Sequence, residues 1–415
     1  MRRIIPVLSG NALETYDFCL YGFLAPTFAS LFFPESLDQS SALIMSFGVF
    51  LIAYISRPIG ILFWGHIADK HGRKPVLMGT LIVMSIPALG IACVPSYNDI
   101  GGWAIFLILF FRLLQGFAFG GEFPTAMVTV YELAPNNRKG FFTSFVDTIA
   151  NVGLVISILL IIIFSSLLTD KQFLAWGWRL LFLFSLLFIL VLAYIRMNLI
   201  ETNDKSSDKY RFPAIKALKK SWKEVLKIIF YMSTPGILFY SFAFHSSVIV
   251  EQYSGEKLSH TNILWIEFIS IFYCSSLYPL MGYLSDIVGR IKFLTYSLIG
   301  LLVLCIPSYL LLVSHSVLQG LLGLLILGFF TATIIGTFVP LIVETSNPKC
   351  RVSTVGLGHG GAMLLFGASA PMISELLIKL TGLSYAPSFY IFLATLTSLI
   401  VLYLFKPTKD QKHAF

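Results

Sequence analysis

Apolar segments of about twenty residues recur along nearly the whole chain, and they constrain its fold more than any other feature. Each is long enough to cross roughly 30 Å of hydrocarbon as a helix. Only 12% of the residues are charged, about half the share found in soluble domains. The sequence therefore predicts an all-α integral membrane protein with twelve transmembrane helices, at 7–33, 41–66, 75–95, 103–132, 140–168, 175–199, 225–250, 261–285, 293–313, 316–343, 353–379 and 384–405.

The basic residues predict the orientation of these helices. With the N-terminus inside, all but six of the 29 Lys and Arg residues fall on the cytoplasmic side; the six are Arg57, Arg112, Lys171, Arg179, Lys257 and Lys379. Cytoplasmic loops of membrane proteins carry such an excess. We therefore expect both termini in the cytoplasm of a cell with a bacterial-type plasma membrane. The basic residues are scattered over short loops, so no nucleic-acid partner is expected.

One loop pattern occurs twice in the chain. "GHIADKHGRKPVL" at 65–77 follows the second apolar segment, and "GYLSDIVGRIKFL" at 282–294 follows the eighth. The repetition predicts two pseudo-symmetric six-helix bundles. Their expected boundaries are 1–199 and 225–415, joined by a polar cytoplasmic linker at 200–224.

Several motifs carry a family resemblance. The two repeated loops resemble the signature of the major facilitator superfamily, and "RLLQGFAFGGE" at 112–122 resembles its fourth-span motif. "GNALETYDFCLYG" at 10–22, "SRPIG" at 56–60 and "RMNLIET" at 196–202 are similar to the metabolite:proton symporter branch. Proline/betaine, α-ketoglutarate, citrate and shikimate carriers belong to that branch.

The resemblance implies a secondary active transporter, not an enzyme, that imports a small organic metabolite with protons by alternating access. It also implies that spans 1, 4, 7 and 10 line a central cavity. The paired loops are expected to close the cytoplasmic side as latches that break when the halves rock. The latch pairs are Asp69 with Arg73, Asp286 with Arg290, Glu132 with Arg138, and Glu344 with Arg351.

Ionisable side chains inside the predicted spans indicate the proton path. Such groups cost roughly 2.5–3.5 kcal/mol each on insertion scales and persist where they face water, pair or move protons. At about 1.5 Å rise per residue, several lie some 15 Å from the cytoplasmic ends of their helices, near the depth of carrier sites. The expected proton-coupling residues are Asp17, Glu122 and Glu14, with Arg112 and Arg57 as counter-charges. The alternative is a static buried ion pair, such as Asp17 with Arg57, that holds spans 1, 2 and 4 together.

The substrate cavity is expected to contain Asn11, Tyr16, Tyr21, Asp147, Tyr240, Phe244, His245 and His359. The tyrosines and Phe244 could form an aromatic wall for a quaternary or zwitterionic ligand through cation–π attraction. Asp147 and His359 could meet across the cavity as a pH-sensitive pair; separate hydrogen bonds to neighbouring spans are the alternative. For Glu375, in an outer half, snorkelling or a surface pair with Lys379 is expected.

The charges favour a small zwitterion such as proline or a betaine, because spans 3 and 7 offer no basic residue for a second carboxylate. A proton symporter of an organic acid such as α-ketoglutarate, citrate or shikimate, an uncoupled facilitator, and a transporter-like receptor remain alternatives. The sequence contains no G-x-x-x-x-G-K-[ST] loop, so ATP drive is not expected. We expect a monomer with protons as coupling ion, the lipid bilayer and a small-molecule substrate as partners, and no cofactor or metal.

Overall fold

The protein is described by a computed structural model that covers residues 5–71, 73–197, 221–253, 260–314, 316–346 and 351–404. In this part of the chain the helices group into twelve spans, as predicted. Ten contain a helical segment long and apolar enough to cross a membrane, and span 3 contains a shorter apolar helix. The chain is therefore a multi-pass membrane protein.

The first six spans are Ile5–Phe23 with Ala25–Phe32, Gln39–His71, Arg73–Cys93, Gly102–Phe119 with Glu122–Leu133, Lys139–Leu167, and Trp178–Met197. The second six are Trp222–Tyr231 with Ser233–Tyr240 and Ser246–Tyr253, His260–Val288, Arg290–Leu312, Val317–Thr345, Arg351–Ala362 with Ala370–Thr381, and Pro387–Leu404. Most of the linker predicted at 200–224 lies outside the described residues, so the bundle boundaries stay a prediction.

Besides the break at Leu24 in span 1, three spans are interrupted within their length. Span 4 breaks at Gly120 and Gly121, and single π-helical turns occur at Ser241–His245 in span 7 and Met363–Gly367 in span 11. Irregular backbone at membrane depth is tolerated where protein or a cavity surrounds it, and π-helical turns are frequent at functional sites. We therefore expect a functional site in the space between spans 4, 7 and 11.

Spans 1–6 and 7–12 meet chiefly where span 5 packs along span 8 and span 2 along span 11. Gly140 of span 5 and Gly282 of span 8 cross so closely that a Cβ on either would collide with the carbonyl oxygen of the other. Within the first half, Gly116 similarly lies against the carbonyl oxygen of Ala53. Small residues allow membrane helices to approach this closely. Close packing matters because lipid provides no hydrophobic driving force for helices to associate.

Candidate functional site

A cavity of about 100 Å³ lies between the two halves. Eight spans contribute to its wall: 1, 2, 4, 5, 7, 8, 10 and 11; no described residue of spans 3, 6, 9 or 12 does so. The lining residues are Thr15, Phe18, Cys19, Tyr54, Arg57, Phe119, Phe123, Asp147, Ala150, Asn151, Met232, Pro235, Phe239, Tyr240, Tyr278, Ile335, His359 and Met363. The wall is thus mostly apolar and aromatic with a few polar groups, as is usual for small-molecule sites.

Arg57 is the cation of this cavity. Its guanidinium carbon lies 4.3 Å, 3.8 Å and 4.0 Å from the ring centroids of Phe18, Tyr54 and Phe119. In the described part of the chain no carboxylate lies within ion-pair distance of it, and its Nε atom makes no hydrogen bond. The Asp17–Arg57 ion pair considered as an alternative is therefore not formed, because three aromatic rings hold the guanidinium instead.

Asp147 is the acid of the same cavity. Its Oδ2 atom is buried and has no hydrogen-bond partner among the described residues. Nearby, the Asn151 side chain donates to Ser275 Oγ at 2.8 Å and to Tyr278 Oη at 3.2 Å, which joins span 5 to span 8. Asp147 thus has a free acceptor oxygen, whereas the neighbouring Asn151 amide is already hydrogen-bonded to span 8.

His359 and Tyr240 also line the cavity, as predicted. The His359 ring packs against Phe123 with centroids 5.2 Å apart. No described ion pair or hydrogen bond joins His359 to Asp147, so the two residues share the cavity wall without forming a pair. The hydroxyl of Tyr240 shares a hydrogen bond with that of Tyr54, which links span 7 to span 2.

Asp17 belongs to a buried polar network behind the cavity wall. Ser185 of span 6 donates to Asp17 Oδ1 at 2.7 Å, and the Gln115 amide donates to Oδ2. Arg112 in turn donates to the Gln115 carbonyl and, at 3.3 Å, to the backbone oxygen of Phe18. Arg112 therefore acts on Asp17 through Gln115, one helical turn along span 4, and not by direct pairing.

The other predicted acids are also enclosed by protein. Glu14 is fully buried in span 1, and Glu122 is 6% exposed at the first turn of the second helix of span 4. Neither lines the cavity. The break at Gly120 and Gly121 places Glu122 at the start of a new helical segment.

Five residues predicted for the substrate cavity lie elsewhere. The Tyr16 hydroxyl donates to the Leu181 carbonyl at 2.8 Å, and the Tyr21 ring packs on Phe28, so both serve packing within the first half. Asn11 does not line the cavity. Its side-chain amide is buried and has no hydrogen-bond partner among the described residues. The misplaced residues are Asn11, Tyr16, Tyr21, Phe244 and His245. Helical spacing fixes which face a residue occupies but not whether that face borders the cavity.

Glu375 makes two contacts at the predicted outer end: the one with Ser40 connects the halves, and the one with His245 lies within the second half. His245 Nε2 lies 3.1 Å from Glu375 Oε2, and Ser40 of span 2 donates to Glu375 Oε1 at 2.8 Å. Glu375 is fully buried, so the expected surface pair with Lys379 is wrong. Lys379 instead pairs with Asp38 at 3.0 Å.

Asp38 does not sense pH in the neutral range. Hydrogen bonds from Ser41 and then from Lys379 lower its pKa to about 2, below its ordinary value of 3.8. The folded structure therefore stabilises the ionised Asp38 carboxylate. This stabilisation is complete above a pH of about 3.8 and is lost as the pH falls through about 2. The Asp38–Lys379 contact is thus constant over physiological pH.

Latches at the predicted cytoplasmic end differ in part from those expected. Asp286 lies 3.3 Å from Arg290, as predicted. Glu344 pairs with Arg290, not Arg351, and Glu132 lies 3.4 Å from Arg351 across the halves. Arg138 is exposed and forms no described ion pair, whereas the side chains of Asp69 and Arg73 lie outside the described part of the chain. Of these described pairs, Glu132–Arg351 connects the halves, whereas Arg290 holds Asp286 and Glu344 within the second half.

Asp286 also connects the two halves. Its two carboxylate oxygens accept backbone N–H groups of Gly140 and Phe141, at 2.9 Å and 3.0 Å, from the first turn of span 5. Those N–H groups have no acceptor within their own helix, and the helix dipole favours a carboxylate there. Asp286 thus caps a helix of the opposite half.

Replacing Asp286 by asparagine is expected to open the predicted cytoplasmic end. Asn presents one acceptor oxygen and no charge, so the closed form should lose about 1–2 kcal/mol, or roughly 5–30-fold in its population relative to the open form. Distances between spin labels at these ends of spans 5 and 8 measure the shift. Glu132→Gln is the matched control: its side chain is 53% exposed, and exposed pairs contribute little. Equal populations in Asp286→Asn and the wild type would contradict the latch.

Sequence reasoning missed Gln115, Ser185, Tyr54 and Asn151. Gln115 stands inside the "RLLQGF" stretch and Tyr54 three residues before Arg57, so proximity to charged residues was an available signal for both. Ser185, in an otherwise apolar run, offered no such signal. In the described residues no group of three or more His, Cys, Asp or Glu side chains could hold a metal ion.

Comparison with known proteins agrees with this architecture. The family profile described as Major Facilitator Superfamily matches residues 15–266 and 236–415. The alpha-ketoglutarate permease of Escherichia coli is 31% identical over 96% of this chain and 92% of its own length. The citrate-proton symporter of Klebsiella pneumoniae is 31% identical over 96% and 90%. The glycine betaine/proline/ectoine/pipecolic acid transporter OusA of Dickeya dadantii is 29% identical over 99% and 84%.

Solved structures show the same fold. The xylose transporter XylE from E. coli, in a partially occluded inward open conformation, superposes with a TM-score of 0.73 over 98% of this chain and 99% of its own. Its sequence identity is 14%, so this likeness concerns the fold alone.

Proposed function

This chain belongs to the Major Facilitator Superfamily, and from that premise we propose that it imports a small zwitterionic metabolite together with protons. Its relatives are transporters, so the chain is a secondary transporter and not an enzyme. The proposed setting is a bacterial-type plasma membrane with both termini in the cytoplasm.

The pairing of charges in the cavity is the observation that carries the proposed substrate. Arg57 and Asp147 line one small space, and no other Lys, Arg, Asp or Glu among the described residues does so. A zwitterion brings one charge of each sign, so each would meet its opposite. A dicarboxylate or tricarboxylate would place a surplus negative charge near Asp147, which a low-dielectric cavity penalises.

The Asp17 network supports proton coupling. Asp17 is buried in span 1 next to the cavity-lining residue Phe18, and hydroxyl and amide donors hold its two oxygens. Intramembrane carboxylates of this kind recur in proton relays of transporters. Arg112, connected to Asp17 through Gln115, adds a fixed positive charge to this network.

Contacts at both ends support alternating access around the cavity. The Asp286 cap bridges spans 5 and 8 at one end, and the Ser40–Glu375 bond bridges spans 2 and 11 at the other. Each can break while the other remains, because the two contacts share no residue. Rocking of the halves would then open the cavity to one side at a time.

Uptake into proteoliposomes with an acidic exterior tests the proposal. Labelled proline should accumulate above its external concentration when the pH gradient is imposed, and a protonophore should abolish the accumulation. Protein-free liposomes are the control. Entry without accumulation would instead indicate a facilitator, binding without entry a receptor, and preferred uptake of citrate or α-ketoglutarate an organic-acid symporter.

A further inference from the structure

We propose that Asp147 selects substrates whose cationic group still carries N–H, so that the site takes primary and secondary ammonium zwitterions and discriminates against fully N-methylated betaines. The inference rests on the proposed function and specifies its substrate class. It makes Asp147 a specificity-determining residue that contacts the substrate.

The unused acceptor on Asp147 is the first observation. Oδ2 is buried at the cavity wall with no hydrogen-bond partner in the described structure. A buried acceptor left unsatisfied is unfavourable, and a donor from the ligand removes that penalty. A protonated amino or imino group donates N–H to the carboxylate, whereas a quaternary nitrogen has no proton to donate.

The occupied aromatic faces are the second observation. Quaternary ammonium ions are recognised by several aromatic faces around the cation. In this cavity the faces of Phe18, Tyr54 and Phe119 surround the Arg57 guanidinium of the protein itself. Of the remaining cavity rings, Phe123 packs on His359 and Phe239 on Tyr240, and Tyr278 is hydrogen-bonded to Asn151.

Three predicted members of an aromatic wall are also absent from the cavity. Tyr16, Tyr21 and Phe244 pack against other rings, and only Tyr240 of the predicted set lines the space. A fully methylated ammonium group would therefore face the Asp147 carboxylate without a hydrogen bond to donate. No free set of aromatic faces in the described cavity wall would surround it to offset that loss. The substrate carboxylate would bind Arg57, and its N–H groups would bind Asp147.

A series of three matched ligands tests the selection. Proline, N-methylproline and N,N-dimethylproline share one ring and carboxylate but carry two, one and no N–H groups as zwitterions. In proteoliposomes of the wild-type protein, initial uptake at low concentration should fall along the series, by at least about tenfold from the first to the last. Equal uptake of the three would overturn the inference while leaving a zwitterion importer intact.

Variants identify the residue responsible. In Asp147→Asn, the ratio of proline to N,N-dimethylproline uptake should fall below about threefold, because the anionic acceptor is lost for both ligands. Asp170→Asn, an exposed acid beyond the end of the same span, should keep the wild-type ratio. An unchanged ratio in Asp147→Asn overturns the assignment to Asp147. If the wild type takes up none of the three but accumulates citrate, the proposed function itself fails and the inference with it.

Discussion

Replacing Arg57 by alanine is expected to weaken binding of a zwitterionic substrate by about thirtyfold or more. Arg57 is 6% exposed, borders the cavity and has no carboxylate partner in the described part of the protein. Truncating one partner of a buried charge pair typically costs 2–5 kcal/mol, and each 1.4 kcal/mol is about tenfold in the dissociation constant. Calorimetric titration of the purified protein with proline measures the loss.

Two further variants test whether the loss of affinity in Arg57→Ala is specific to this side chain. Arg57→Lys keeps the charge but not the planar group that stacks on three rings, so its affinity should lie between those of alanine and the wild type. Arg179→Ala removes an arginine that stacks on Trp178, with 4.4 Å between guanidinium and ring, away from the cavity. Its affinity should stay within about twofold of the wild type. Tight binding by Arg57→Ala would show that the substrate carboxylate binds elsewhere.

Replacing Asp17 by asparagine is expected to abolish accumulation of substrate against its gradient, bringing the ratio of internal to external concentration to about one. Asparagine matches the shape of Asp17 and can still accept the Ser185 hydroxyl, but it neither binds nor releases a proton at neutral pH. Exchange of labelled for unlabelled substrate should persist, because it needs no net proton movement. Both are measured in the same proteoliposomes, with and without an imposed pH gradient.

Ser185→Ala is the matched control for Asp17→Asn. It removes one hydrogen bond to the carboxylate but retains the ionisable group, so accumulation should continue. Accumulation by Glu122→Gln, measured under the same conditions, tests the second predicted proton site. Protonophore-sensitive accumulation by Asp17→Asn at the wild-type level would show that Asp17 only holds spans 1, 4 and 6 together.

The positions of the twelve spans were predictable from the sequence to within a few residues. Span 2 was expected at 41–66 and begins at Gln39, and span 9 was expected at 293–313 and is Arg290–Leu312. The apolar length needed to cross a bilayer is a local property of the chain, so composition alone fixes it. The family resemblance also followed from local motifs, because the repeated loops and the "RLLQGF" stretch lie within single segments.

The neighbours of the buried charges were not predictable in the same way. Arg57 and Asp17 were placed at one depth by counting residues from the ends of their helices. The structure turns Arg57 to the cavity among aromatic rings and Asp17 away from it, toward Gln115 and Ser185. The rotation of each helix about its own axis is set by packing against the others.

The sequence by itself determined that this protein is a helical membrane transporter of a known superfamily, because hydrophobic length and short motifs act locally. Only the tertiary structure decided which side chains share the cavity and which bridge the halves. His245 and Glu375 are 130 residues apart and in contact, and Asp286 caps a helix of the other half. Such contacts depend on how helices distant in sequence rotate and cross, a property that no single segment contains.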